Sequence, residues 1–215
     1  MAFKVAYFTP TIIAADQVPP VEFSKLFNLV EDLHNHPELN EHENPFISIR
    51  GGQHVQIFPA RIELDVEWLK IWIEKVSQNY MDVVSEQTGS TDFKLCKPVV
   101  TNIWTTRQYA GHYHEMHTHL GSNISGNIYI SAPQLSDTGN LSDGKFVLKL
   151  PQTKDISRFI MQDAWQTDPT PGTFVVFPSC LSHTVYPWQG DGHRTVVSFE
   201  ASLVPIENNN DEGDE

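Results

Sequence analysis

The apolar positions of the chain change their period at about residue 99. Before it they recur at three- and four-residue steps. After it they alternate in short runs. Following Pro19-Pro20, the residues Phe23, Leu26, Phe27, Val30 and Leu33 fall at helical spacing, which predicts a helix over Val21 to Leu33 with Pro37 beyond its end. A second set, Trp68, Leu69, Trp72, Ile73, Val76, Tyr80 and Val83, predicts a longer helix that stops before Gly89, with Asp65 as a plausible cap. These aromatic stripes read as helix faces packed on a sheet. Between the two helices, His54 to Phe58 alternates like a short strand.

From Val99 onward the sequence breaks into β-rich runs: VVTNIWTTRQY, HEMHTH, SGNIYISA, KFVLKL, SRFIM, TFVVF, HTVYP and RTVVSFEASL. Turn residues separate them at Gly111, Gly121, Gly139 to Gly144, Pro151, Pro169 to Gly172, and Gly190 to Gly192. Many short strands at near-regular spacing predict a sandwich or barrel. The expected organisation is one domain over residues 1–205, mainly β with flanking helices. Residues 1–98 form a helix-containing support and 99–205 the β core. A solvated, disordered acidic tail is expected over 206–215, which read IENNNDEGDE.

Charge and cysteine content narrow the function classes. With 14 Lys and Arg against 27 Asp and Glu, the formal net charge is −13. That balance argues against a protein that grips the nucleic-acid backbone through a basic patch. Cys96 and Cys180 make neither a disulfide framework nor a CxxC pair, so a reduced, cytoplasmic setting is the simplest reading. The first twenty residues lack the apolar core of a signal peptide, and no run of apolar residues is long enough for a spanning helix.

Candidate chemistry is concentrated in Gly111-His-Tyr-His-Glu-Met-His-Thr-His119, followed far downstream by His183. On a strand, residues i and i+2 share a face. His117 and His119 would therefore present two imidazoles to one metal, with His183 arriving from a distant strand and the opposite face of the metal left open for reaction. Imidazole suits iron, copper, nickel and zinc alike, and His112 with His114 has the same spacing, so the spacing alone selects neither metal nor pair. Arg194, on the run after His183, adds a second element. A buried guanidinium beside a metal invites a carboxylate ligand, and Ser198 lies on the same strand face.

Taken together, Trp104 to Gly111, His117-Thr-His119-Leu-Gly-Ser122-Asn-Ile-Ser125-Gly126-Asn-Ile-Tyr129, FPSCLSH183 and RTVVSFE resemble the 2-oxoglutarate/Fe(II) oxygenases found in bacteria and marine phages. The resemblance covers Trp104 to Phe199 and is silent about substrate. It implies a double-stranded β-helix, a distorted jelly roll, with Fe(II) held by His117, His119 and His183. It further implies that Arg194 pairs with the distal carboxylate of 2-oxoglutarate, with Tyr129 as a second contact and Ser198 as a weaker third. Trp104 reads as core packing. The implied activity is a dioxygenase, and more narrowly a hydroxylase, that uses O2 and 2-oxoglutarate on a primary substrate such as a protein or peptide.

One departure stands out. In the wider superfamily the middle ligand is usually Asp or Glu, where this chain has His119. A neutral ligand in place of a carboxylate changes the metal's charge balance. Glu115 is a minor alternative carboxylate, and His112 and His114 are candidates for the substrate mouth. Two rival readings share the barrel and the metal: a cupin with another activity, and a non-catalytic barrel that keeps a metal for structure. The cupin pattern fails at Asn123 and Ile124, where it needs a Glu, and at Cys180, where it needs a Gly.

Overall fold

A computed structural model describes residues 11–41, 49–59, 63–151 and 164–206. In chain order its elements are β1 (Ala14–Gln17), α1 (Pro20–His34), β2 (Ile49–Arg50), β3 (Gln53–Phe58), α2 (Glu67–Thr88), β4 (Cys96–Gln108), β5 (Tyr113–His117), β6 (Ile124–Ser131), β7 (Gln134–Leu135), β8 (Phe146–Lys149), β9 (Ala164–Thr167), β10 (Thr173–Pro178), β11 (His183–Val185), β12 (Gly190–Asp191) and β13 (Arg194–Pro205). Among the described residues, a six-stranded sheet runs β1-β10-β6-β13-β4-β3 and a five-stranded sheet runs β2-β5-β11-β8-β9. Every pairing is antiparallel. Strands β1 and β3 extend the large sheet at both ends, so the N-terminal part of the chain is built into the β core.

Both helices form where the apolar period predicts. In α1, Pro20 opens the first turn, where its missing N–H costs nothing, and Leu26, Val30 and Leu33 form the buried stripe. Phe27 departs from the expectation and is 39% exposed. It sits one residue, about 100° of helix rotation, away from Leu26 and so leaves the stripe. In α2, Leu69, Ile73, Tyr80 and Met81 are buried, while Val83, two residues past Met81, points to the other side and is exposed. Asp65 does not cap this helix. The N-cap residue is Val66, without a side-chain cap, and the Asp65 carbonyl instead accepts from Trp68 Nε1 at 3.1 Å. The helix ends as expected at Gly89, whose φ of 70° is the left-handed conformation that glycine adopts without strain.

The large sheet is apolar on the face towards the helices, while its other face carries polar residues around a pocket and, beside them, a second apolar cluster of Tyr129, Val175 and Phe177 packed on Phe146 and Leu148. Val197, Phe199 and Ala201 of β13, with Ile124, Ile128 and Ile130 of β6, pack under α1 and α2. Each of the Val, Ile and Phe side chains contributes roughly 1.5–3 kcal/mol on burial, which makes this layer the main apolar core. Arg107 of β4 also points to the helix side, where it pairs with Glu31 of α1. The alternate residues of the same strands face the five-stranded sheet across a pocket. Gly126 marks the tightest approach in the sheet: a Cβ there would lie 2.2 Å from the ring of Phe199 on the neighbouring strand.

The long predicted runs correspond to β4, β5, β6, β8, β10, β11 and β13. SRFIM and the tail from residue 207 lie outside the described residues. Strands β1 and β9 and the short β2, β7 and β12 have no counterpart in the predicted runs. Among the described residues, no helix is long and apolar enough to cross a membrane.

Candidate functional site

The pocket between the sheets holds about 330 Å³ and carries the chemistry on its walls. It is small, comparable with the lower range of ligand sites. His117, at the end of β5, is paired in register with His183, the first residue of β11. Their ring centroids are 4.2 Å apart. His119 lies beyond the end of β5, so the shared strand face expected from the i, i+2 spacing is not what brings it in. Instead, its backbone N–H donates to the Ser179 carbonyl at 3.0 Å, and its own carbonyl accepts from Ser122 N at 3.3 Å. These bonds pin the segment after β5 against the turn that follows β10. The three histidines offer ring nitrogens that all lie within 4.8 Å of one another.

The outer ring nitrogens fix how the imidazoles are used. His117 Nδ1 is 2.7 Å from the Glu115 carbonyl, and His183 Nδ1 is 2.9 Å from the Leu181 carbonyl. His119 Nδ1 is 2.6 Å from Glu200 Oε1. All three partners are acceptors, so each neutral ring carries its hydrogen on Nδ1 and turns a bare Nε2 lone pair inward. The Nε2 atoms of His119 and His183 stand 3.2 Å apart, and with both rings neutral they have no proton to share. Facing lone pairs at that distance repel unless a cation lies between them. Two nitrogens each about 2.0–2.1 Å from one metal ion sit about 2.8–3.4 Å apart at octahedral to tetrahedral angles. The donor set therefore fits a metal ion.

Burial keeps these groups in the ligating form. It pulls His183 down to about 3, helped by the neighbouring His117, and it also lowers His117. A ring that resists protonation holds its lone pair for a metal across the ordinary pH range. His114, whose ring lies 5.9 Å from that of His117, lines the same pocket and is held well below its usual value, first by burial and then by His117. His112 does not line the pocket: it accepts from the Tyr109 backbone N–H and stacks edge-on against the Tyr109 ring. Glu115 is also outside. Its carboxylate takes a bidentate grip from Arg50 at 2.9 and 2.6 Å on the surface, which removes it as a metal ligand.

Further along the pocket is a buried cation. Arg194 is only 1% exposed. Its guanidinium donates to the Gly144 carbonyl at 2.8 Å and to Gln108 Oε1, and it lies 4.6 Å from the Trp188 ring centroid. No carboxylate among the described residues pairs with it. Burial lowers it to about 10, so it remains charged at neutral pH. Beside it, the Tyr129 hydroxyl and Gln108 Nε2 are buried with no hydrogen-bond partner among the described residues. Burial raises the Tyr129 phenol, against the opposing pull of Arg194, and so keeps it a donor. A buried cation with two orphaned donors next to it fits an anionic ligand. Ser198 faces the same pocket, with its hydroxyl donated to Asn127 Oδ1 at 2.9 Å.

Two side chains were misjudged or missed in the sequence. Trp104 is not core packing. It lines the pocket, with its ring 5.5 Å from that of His119 and 6.4 Å from that of His54. Glu200 holds His119 and was not singled out. The signal available was parity, since Glu200 falls on the same face of its strand as Arg194 and Ser198.

Comparison with known proteins agrees with this geometry. Residues 102–200 match the sequence profile of the family described as "Putative 2OG-Fe(II) oxygenase". Among solved structures, a Pseudomonas putida prolyl-4-hydroxylase superposes with a TM-score of 0.56 at 16% identity, covering 88% of this chain and 92% of that one. A Trichoplax adhaerens prolyl hydroxylase, solved with a hypoxia-inducible-factor peptide fragment, gives 0.57 at 12% identity, covering 88% and 83%. HygX from Streptomyces hygroscopicus, solved with nickel and 2-oxoglutarate, gives 0.54 at 10% identity, covering 89% and 83%. No curated protein sequence matches the chain. At these identities the structural likeness establishes the fold, a double-stranded β-helix. Over residues 102–200, a little under half of its length, this chain is thus similar to the 2OG-Fe(II) oxygenases.

Proposed function

We propose that the protein is a hydroxylase acting on a peptide or protein side chain. In this reading Fe(II) is held through Nε2 of His117, His119 and His183, and 2-oxoglutarate is anchored by its distal carboxylate on Arg194. The observation that carries the reading is the pairing, in one pocket, of three converging imidazole lone pairs with a buried guanidinium that has no carboxylate partner among the described residues. Bound together, the two cofactors supply O2 activation coupled to decarboxylation of 2-oxoglutarate to succinate.

The chain's own residues then bind, orient and exclude water. Arg194 gives the co-substrate its charge partner, Tyr129 donates its phenolic hydrogen, and the Gln108 amide adds a further donor. Ser198 supports this wall by holding Asn127. Phe146 and Val196 close the pocket with apolar surface, which strengthens each of these polar contacts. Trp104 and His54 flank the metal end and are placed to orient the primary substrate. The choice of a peptide rests on the Trichoplax neighbour, which binds a peptide fragment on the same fold.

The test is an anaerobic titration of metal-free protein with Fe(II) and then 2-oxoglutarate. The expected result is a weak visible charge-transfer band that is lost or much reduced in Arg194→Ala. Stoichiometric metal binding with no band at any 2-oxoglutarate concentration would overturn the reading in favour of a non-catalytic metal barrel.

A further inference from the structure

Among the described residues Glu200 is the one carboxylate paired with the histidine cluster, and four observations give it a role. Its Oε1 accepts from His119 Nδ1 at 2.6 Å, a short contact of the kind a carboxylate acceptor makes. Both side chains are largely buried, 16% exposed for His119 and 17% for Glu200. No Lys or Arg among the described residues lies within ion-pair distance of Glu200, so its charge is directed at the imidazole alone. Finally, the backbone is shaped around it. Glu200 pairs with Asn102 while the next residue, Ala201, pairs with Val100, which leaves Thr101 of β4 as the extra residue of a β-bulge. Bulges re-aim side chains and recur beside active sites.

We infer that Glu200 is a positioning residue that acts through His119 to place negative charge at the metal centre, in the role that a carboxylate ligand plays in a two-histidine, one-carboxylate site. This inference rests on the metal reading above and deepens it. Three neutral imidazoles leave the full charge of a divalent ion uncompensated by the protein. A carboxylate on the outer nitrogen raises the basicity of the inner one and fixes both tautomer and ring orientation. The negative charge thus sits one hydrogen bond away from the metal and leaves all three ligand positions to nitrogen.

The experiment measures Co(II) affinity by chelator competition, together with the visible Co(II) spectrum, for wild type, Glu200→Gln, Glu200→Ala and His117→Ala. Glu200→Ala is expected to weaken Co(II) binding by about 10–100-fold with the visible band retained. Glu200→Gln keeps an acceptor for His119 and loses the charge, so its loss should be smaller than that of Glu200→Ala but more than threefold. A change below threefold in Glu200→Ala, or in Glu200→Gln should the alanine variant fail to fold, overturns the inference while wild-type binding leaves the metal site intact. A loss as complete as in His117→Ala, with the band gone, also overturns it, because Glu200 would then be a ligand itself. Wild type that binds no Co(II) overturns both the inference and the metal reading.

Discussion

Arg194 illustrates what charge number alone leaves out. Its planar fork is held by a carbonyl and an amide oxygen and stacks near Trp188, so its geometry is set before any ligand arrives. Arg194→Lys keeps the charge and loses the fork. We expect it to weaken 2-oxoglutarate binding to the Co(II)-loaded protein by roughly 30-fold or more, the lower end of the ~2–5 kcal/mol lost when a buried charge pair is broken. Calorimetric titration would check this, and an unchanged affinity would show that the ligand sits elsewhere. The three histidines, which the structure gathers together, and Arg194, which it buries in the same pocket, stand out in the sequence by residue type and spacing. Glu200 and Trp104 do not, because a Glu or Trp on an alternating strand reads the same whether it faces water, core or pocket.

At the scale of elements, the long strands and both helices were legible because each repeats its period several times. The two- to four-residue strands β1, β2, β7, β9 and β12 were not, since two residues define no period and their pairing comes from neighbours distant in sequence. The exit of His119 from β5 was hidden for a similar reason: strand ends are set by partners, here the Ser179 carbonyl. The Ser125-Gly126 pair has a physical basis that the structure supplies. A methyl group at Gly126 would meet Phe199 at 2.2 and 2.5 Å and the Val175 carbonyl at 2.8 Å. Gly126→Ala is therefore expected to cost about 1–3 kcal/mol through overpacking, read as a lower urea midpoint at unchanged slope. A midpoint equal to wild type would mean that the sheet yields at this point more easily than its packing implies.

For the whole molecule, acid should be destabilising well before the carboxylates titrate. Burial holds His34 at about 3, with Arg107 adding to the effect, and burial holds His54 at about 4. In the unfolded chain both would protonate near 6.5, so below that pH the unfolded state binds more protons than the folded one. Stability is then full above 6.5 and is lost as pH falls towards the folded values. Between pH 6.5 and 5 the loss is about 2 kcal/mol per histidine, and urea midpoints compared at pH 7 and 5 would show it or refute it. Metal should act in the opposite direction: at a thousand times its dissociation constant a divalent ion adds about 4 kcal/mol, so chelation should lower the melting temperature. The strand that joins these properties is β13, paired with β4 along its length and with β6 from Thr195 to Ala201. Arg194, Ser198 and Glu200 occupy its alternate positions, and Val197, Phe199 and Ala201 the others. Sequence drift in this strand is consequently free to change letters but not their number. Deleting a single residue between Arg194 and Glu200 would turn one of the two charges towards the helices and bring apolar side chains in its place, undoing the pocket and the core in one event.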